Sequence, residues 1–201
     1  MKKISNILIG THNDGKFKEL SYLISKKVKK VSPKEYKIKS PKETGRTFLA
    51  NSRLKANYFY QQTKITSISD DSGLSISCLN GRPGIYSARW AKTHGSFHKA
   101  MIYILKKINK VNKNKKNKNA KAKFVCVLTI KMCKKKSISV RGEINGNISS
   151  SIRGKNGFGY DPIFIPNKSK LTFGEMTHKK KILIDHRFIA FKKLKQKINS
   201  L

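Results

Sequence analysis

Apolar and polar positions alternate along this chain in blocks that read as strands followed by helices. Lys3 to Gly10 is a short apolar run that predicts a first buried strand, ended by the polar turn Thr11-His12-Asn13-Asp14-Gly15. From Lys16 to about Lys27, Phe17, Leu20, Leu23 and Ile24 recur at helical spacing. Ser40 to Gly45 has loop composition and feeds a second predicted helix, Thr47 to Gln62, with Phe48, Leu54 and Tyr58 among its apolar positions. Ile65–Ser69 and Leu74–Leu79 read as two strands on either side of Asp70-Asp71, followed by the turn-forming Asn80-Gly81-Arg82-Pro83-Gly84. Met101, Ile104, Leu105 and Ile108 stripe a helix over Ser96–Lys110. Phe124–Met132 and Ser137–Ile148 predict an antiparallel pair, and Asp185 caps a last helix running to about Ile198.

Strands alternating with helices around an internal antiparallel pair predict an α/β fold with a mixed sheet. At 201 residues, a single domain spanning 1–201 is expected, large enough for a real core. The Lys/Asn-rich stretch over about 109–123 reads as a solvated insertion.

Composition modifies this picture in one respect. Lys and Arg number 46 against 10 acidic residues, for a net charge of +36. Such a balance suits a polyanionic partner and speeds nucleotide encounter. The excess is nevertheless spread over the whole chain beside abundant Asn and Ile. All three residue types have A/T-rich codons, so compositional drift accounts for it better than a specific nucleic acid does. Cys78, Cys126 and Cys133 lack C-x-x-C spacing and sit in apolar runs, which predicts free buried thiols in a reducing compartment. The first apolar run is too short for a secretory core or a membrane span, so a cytoplasmic protein without a membrane partner is expected.

With only 10 acids in the chain, the location of each is informative. Asp70-Asp71 with Glu43 suits a divalent ion, because Mg²⁺ takes one or two carboxylates plus substrate phosphates and water. Adjacent residues of an extended segment face opposite sides, so Asp71 is expected to face the chemistry and Asp70 to support local structure. Lys55 on the second helix is a candidate phosphate or carboxylate partner, although composition alone favours a solvated lysine there. A strand leading through THNDGK into a helix offers amides to an anion, with Lys16 in reach, although it is not a Walker A loop. Gly157-Phe158-Gly159-Tyr160-Asp161-Pro162 holds two aromatics between glycines, either as a base-stacking platform or as a tight hairpin. Lys181 with His186-Arg187 presents donors near a helix start. His94 and His98 have i, i+4 spacing but no further ligand pattern, and are expected on one surface helix face.

Read in order, THNDGKFKEL, ETGRTF-x-x-N-x-x-x-K-A, DDSGL, LNGRPGIYSARWA, GFGYDPIF and K-x-x-x-x-HR resemble the inosine/xanthosine triphosphate pyrophosphatases, from about Ile4 to Leu194. The resemblance implies an elongated, two-lobed α/β subunit with a mixed, curved sheet flanked by helices and a central cleft. It also implies a homodimer, dependence on Mg²⁺, and hydrolysis of non-standard purine nucleoside triphosphates (ITP, dITP, XTP) to monophosphate and pyrophosphate. By that resemblance, Thr11, His12, Asn13, Asp14, Gly15 and Lys16 hold the triphosphate. Asp71 is general base and metal ligand, with Glu43 a second carboxylate at the metal. Ser72 and Lys55 contact substrate. Phe158, Gly159, Tyr160 and Asp161 serve the base and ribose, and Lys181, His186 and Arg187 read the purine and phosphates. The chain departs from the family pattern at His12 (usually Gly), Ala50 (usually Glu), Asp185 (usually Ser), Lys180 and Ile182. Two other readings compete: a septum-formation-inhibitor-like pyrophosphatase for modified pyrimidines, and a non-enzymatic basic nucleic-acid-binding protein.

Overall fold

The computed structural model describes residues 4–113 and 120–198, so residues 114–119 of the predicted Lys/Asn insertion lie outside the described residues. In chain order the elements are β1 (Asn6–Ile9), α1 (Asp14–Leu23), β2 (Lys29–Val31), α2 (Phe48–Thr63), β3 (Ser67–Ile76), α3 (Ser87–Thr93), α4 (Phe97–Asn112), β4 (Lys121–Cys133), β5 (Lys136–Ile148), β6 (Phe164–Pro166), α5 (His178–Lys181) and α6 (His186–Lys197). The six strands form one sheet in the order β2-β1-β3-β4-β5-β6. β1 runs parallel to both β2 and β3, whereas β5 and β6 are antiparallel. Only Lys134-Lys135 joins β4 to β5, a link short enough for a hairpin and too short for a parallel crossover. The sheet is therefore mixed, as the alternating pattern predicted.

The chain divides into two compact units. The first comprises residues 1–71, 126–142 and 186–201, and the second 72–125 and 143–185, so the boundaries fall within or beside β3, β4 and β5. In the first unit, Ile7 and Ile9 of β1, Leu20 of α1, Ile68 of β3, Cys126, Leu128 and Ile130 of β4, and Ala190 and Leu194 of α6 form a buried cluster. In the second, Leu74 and Ile76 pack with Met101, Ile104 and Ile108 of α4 and with Phe124, Phe164 and Phe173. Burying one such side chain stabilises the fold by about 1.5–3 kcal/mol, which explains why the predicted α4 stripe reappears as core.

Several sequence expectations are corrected. β3 is one continuous strand that passes through Asp70-Asp71 rather than two strands flanking the pair. β2 and the short helices α3 and α5 had too few periodic positions to be predicted. α1 ends at Leu23, four residues early, with Ile24 extended at its C-cap. Helix α4 continues to Asn112 and β4 starts at Lys121, so both ends of the predicted insertion belong to regular elements. His94 caps the C-terminus of α3 and His98 lies in α4, so the pair does not share a helix face. Of the cysteines, all free, Cys126 is buried, Cys78 half-buried and Cys133 exposed. Among the described residues, no helix is long and apolar enough to cross a membrane.

Candidate active site

The first unit is organised around the two faces of β3. Ile68 and Asp70 point one way, and Ser69 and Asp71 the other, as strand alternation requires. On the first side lies an ion network buried from solvent. Lys16 of α1 reaches Asp70 Oδ2 at 3.0 Å, and Arg187 Nη2 of α6 reaches the same oxygen at 3.2 Å. Arg187 Nη1 also pairs with Glu19 of α1. Glu19, Asp70 and Arg187 are each at most 2% exposed. Burial alone would push the Asp70 carboxyl up, but Lys16, Arg187 and Lys55 together hold it well below the usual carboxylate range. Through these ion pairs Asp70 ties α1, β3 and α6 together, a supporting position in the first unit.

On the opposite side, helix α2 supplies the partners of Asp71. Thr47 caps that helix by accepting a hydrogen bond from the Ala50 amide. Asn51 and Lys55, one turn apart and therefore on one face, are both buried. Asn51 Nδ2 donates to Asp71 Oδ2 at 3.0 Å, and Lys55 Nζ stands 3.8 Å from Asp71 Oδ1. The same ammonium lies 2.5 Å from Glu43 Oε1, so Lys55 brings Glu43 and Asp71 into one cluster. Burial raises the Asp71 proton affinity and Glu43 adds to that, against the opposing pull of Lys55, Lys16 and the Asn51 hydrogen bond. Lys55 shows the converse balance: burial disfavours its charge, but Asp71, Asp70 and Glu43 more than offset this and raise its pKa. Two adjacent aspartates thus differ in their surroundings, which lower the pKa of Asp70 and raise that of Asp71.

The loop before α1 is built for a fixed shape. Asn13 caps the helix by accepting from the Lys16 amide, and Thr11 Oγ1 accepts from the Asn13 amide. As the first two helical residues, Asp14 and Gly15 have amides with no intrahelical acceptor. His12 is braced from outside the loop. Its Nε2 lies 2.9 Å from the Ile38 carbonyl and its Nδ1 2.6 Å from Ser40 Oγ. A carbonyl only accepts, so Nε2 carries the proton and Nδ1 accepts from the Ser40 hydroxyl. The Asp14 side chain is exposed and pairs with Lys34 rather than with any member of the Asp71 cluster.

Ser72 follows Asp71 on β3 and is half-buried. In the second unit, Lys181 of α5 is 2% exposed and lies 2.6 Å from Asp161 Oδ2. That oxygen also accepts from the Phe158 amide at 2.8 Å. The Lys181 ammonium stands 4.8 Å from the Phe158 ring centroid, over its face. Tyr160 is used internally: its hydroxyl donates to the Ser87 carbonyl at 2.9 Å and its ring meets Phe97 edge-on. Gly157 and Gly159 both have positive φ, and a Cβ at Gly157 would lie 2.1 Å from Asp161 Oδ2, so the glycines are what allow the turn to wrap that carboxylate. His186 and Arg187 open α6 and are buried in the first unit, whereas Lys181 belongs to the second.

The sequence-predicted residues thus assemble in separate sets: Glu43, Lys55 and Asp71; Lys16 and Arg187 on Asp70; and Phe158, Asp161 and Lys181. Sequence reasoning gave Glu19 and Asn51 no role. Glu19 carried no signal beyond being one of few acids, whereas Asn51 stands in the motif ETGRTF-x-x-N-x-x-x-K-A one helical turn before Lys55.

Among the described residues, no group of three or more His, Cys, Asp or Glu is arranged to hold a metal ion. Glu43 and Asp71 nevertheless fit Mg²⁺, which usually binds through one or two carboxylates and completes its shell with substrate phosphates and water.

Comparison with known proteins identifies the family and its fold. The family model described as the Ham1 family matches residues 7–197. A dITP/XTP pyrophosphatase of Caulobacter vibrioides is 36% identical over 191 residues, covering 95% of this chain and 96% of the relative. The Bartonella henselae dITP/XTP pyrophosphatase is 37% identical over 215 residues, covering 100% of each chain. Among solved structures, a HAM1 protein from Coxiella burnetii superposes with a TM-score of 0.87 at 29% identity, over 98% of this chain and 100% of that one. The Staphylococcus aureus Ham1 protein gives 0.83 at 32% identity, over 96% and 98%. With the family model matching residues 7–197 and relatives 36–37% identical over nearly the whole chain, the chain belongs to the Ham1 family.

Proposed function

We propose that this protein hydrolyses non-standard purine nucleoside triphosphates, of the dITP and XTP class, to the monophosphate and pyrophosphate. The observation that carries the reading is the sharing of one buried ammonium, Lys55, by Glu43 and Asp71. The names of the relatives supply the substrate class.

In this reading Asp71 accepts a proton from the water that attacks the α-phosphorus. The bond from that phosphorus to the bridging oxygen breaks, and pyrophosphate leaves with the electron pair. Burial suits Asp71 to the task, because it raises the proton affinity of a carboxylate that is otherwise surrounded by cations. Lys16, Lys55 and the first-turn amides of α1 meet the charge of the departing phosphates, with Thr11, His12 and Asn13 holding that loop in shape. Glu43 and Asp71 would hold Mg²⁺, which when bound offsets phosphate charge. Ser72, next to Asp71 in sequence, is proposed to contact substrate.

Base recognition is proposed for the second unit. Phe158 and Gly159 give the purine a stacking surface, Tyr160 and Asp161 fix that surface, and Lys181 donates to a 6-keto oxygen. His186 and Arg187 act from the first turn of α6, Arg187 through a guanidinium held by Glu19 and Asp70. An adenine amino group would leave such donors unpaired, a mismatch that discriminates strongly. The working form is proposed to be a homodimer, as the family resemblance implies.

The test is pyrophosphate release from inosine, xanthosine, guanosine and adenosine triphosphates, each with Mg²⁺ and with a chelator. Turnover of the inosine and xanthosine nucleotides alone, lost with the chelator, is expected. Equal turnover of all four would overturn the specificity, and absence of turnover would overturn the activity.

A further inference from the structure

We infer that Asn51, packed against Gly45, is a positioning residue for the hydrolytic step: its side chain fixes the Asp71 carboxylate to the loop that carries Glu43. The inference rests on the proposed function and adds to it a residue that touches neither phosphate nor base.

The geometry is a two-ended clamp. Asn51 is 0% exposed. Its Oδ1 accepts from the Gly45 amide at 2.8 Å, and its Nδ2 donates to Asp71 Oδ2 at 3.0 Å. The orientation of the amide is fixed by its partners, since a backbone N–H only donates and an ionised carboxylate only accepts. One helical turn further on, Lys55 touches Glu43 and the other Asp71 oxygen. A single face of α2 thus grips the Glu43 loop and the Asp71 strand at two levels, once through a neutral amide and once through a cation. Asp71 Oδ2 is held by Asn51, and Oδ1 faces the Lys55 ammonium that also pairs with Glu43.

Gly45 supplies an independent sign that the approach is built in. A Cβ placed there would come within 2.5 Å of Asn51 Oδ1, 2.7 Å of the Ala50 Cβ and 2.9 Å of the Asn51 nitrogen. The φ of Gly45 is not among the positive values, so backbone freedom does not explain the glycine. Its lack of a side chain is what admits the Asn51 amide. The two residues should therefore act as one unit: either substitution, Gly45→Ala or Asn51→Asp, breaks the clamp. Asn51→Asp keeps the shape and the acceptor toward Gly45, but removes the donor to Asp71.

The experiment is a double-mutant cycle with Gly45→Ala, Asn51→Asp and both together, on full-length protein whose folding is checked by circular dichroism. Two quantities are measured: kcat for inosine triphosphate, and the Kd for an inosine triphosphate analogue with a methylene group between the α- and β-phosphorus. Misplacement of a reacting group by about 1 Å costs on the order of 100-fold, so each single variant should lose kcat on that scale. Analogue Kd should move less than about three-fold, and the double variant should be no slower than the worse single one, as coupled residues are non-additive. Asn51→Ala provides a second route if Asn51→Asp does not fold. Multiplying losses, unchanged kcat, or loss of analogue binding in step with kcat would overturn the inference while leaving the functional reading intact. A folded wild-type protein that releases no pyrophosphate would overturn the functional reading and this role with it.

Discussion

Asp70 and Asp71 are consecutive on one strand, yet their carboxylates meet different partners: Lys16 and Arg187 for Asp70, Asn51 and Lys55 for Asp71. Strand alternation separates them, and the helices packed on each face of β3 give each its own electrostatics. Neighbouring cations lower the pKa of Asp70, and burial raises that of Asp71.

That difference predicts opposite consequences for the same substitution. Asp71→Asn should lower pyrophosphate release from inosine triphosphate by at least about 100-fold, the usual scale for a lost general base. Because a carboxyl raised by folding destabilises the native state when ionised, thermal midpoint should hold or rise. A variant with near-normal turnover would remove Asp71 from the chemistry.

Asp70→Asn should instead unfold the first unit more easily. It leaves Lys16 and Arg187 without their shared partner, and breaking a buried pair costs about 3–5 kcal/mol. Urea denaturation would show it as a lower midpoint. For a carboxylate whose folded pKa is depressed, the stabilisation is present above the unfolded value and is lost as pH falls below it. Wild type should therefore lose stability progressively in acid, and Asp70→Asn should flatten that dependence.

The pH–rate profile should carry the Asp71 signature. Its pKa is raised, so the acidic limb of kcat/KM is expected above the ordinary aspartate range, activity rising as Asp71 ionises. Weakening the cations around it by Lys55→Met should push the limb further toward neutral pH. A limb that stays where it is in that variant would assign it to another group.

In the second unit, Lys181→Met should remove the donor toward a 6-keto oxygen and leave Asp161 buried beside an apolar chain. Selectivity for inosine over adenosine triphosphate should fall by about ten-fold or more, measured as the ratio of kcat/KM values. An unchanged ratio would take Lys181 out of base recognition.

How much of this was legible in the residues can be argued from particular cases. The stripe Met101, Ile104, Ile108 marked α4 because each position repeats the same helical face. Thr47 and Ser96 were read as the helix starts and stand in the structure as N-caps. The division of labour within Asp70-Asp71 followed from the period of a strand. The strand itself did not: SISDDSGLSI looks like two short strands broken by a polar turn, because nothing local reveals the cations that let two carboxylates sit inside a sheet. Cys133 was read as buried from its apolar neighbours, but it lies at the end of β4 where the hairpin turns into solvent.

The chain's own order of residues determined the alternation of elements, the polar loop before α1, the family and the shortlist of acids and lysines, since these depend on spacing within a turn or a strand. Only the tertiary structure decided which charges meet. Glu19 and Arg187 are 168 residues apart, and Asn51 and Asp71 belong to different elements. Such pairs arise from how helices pack on a sheet, a relation that local periodicity does not carry and that gives Asp70 and Asp71 their different partners.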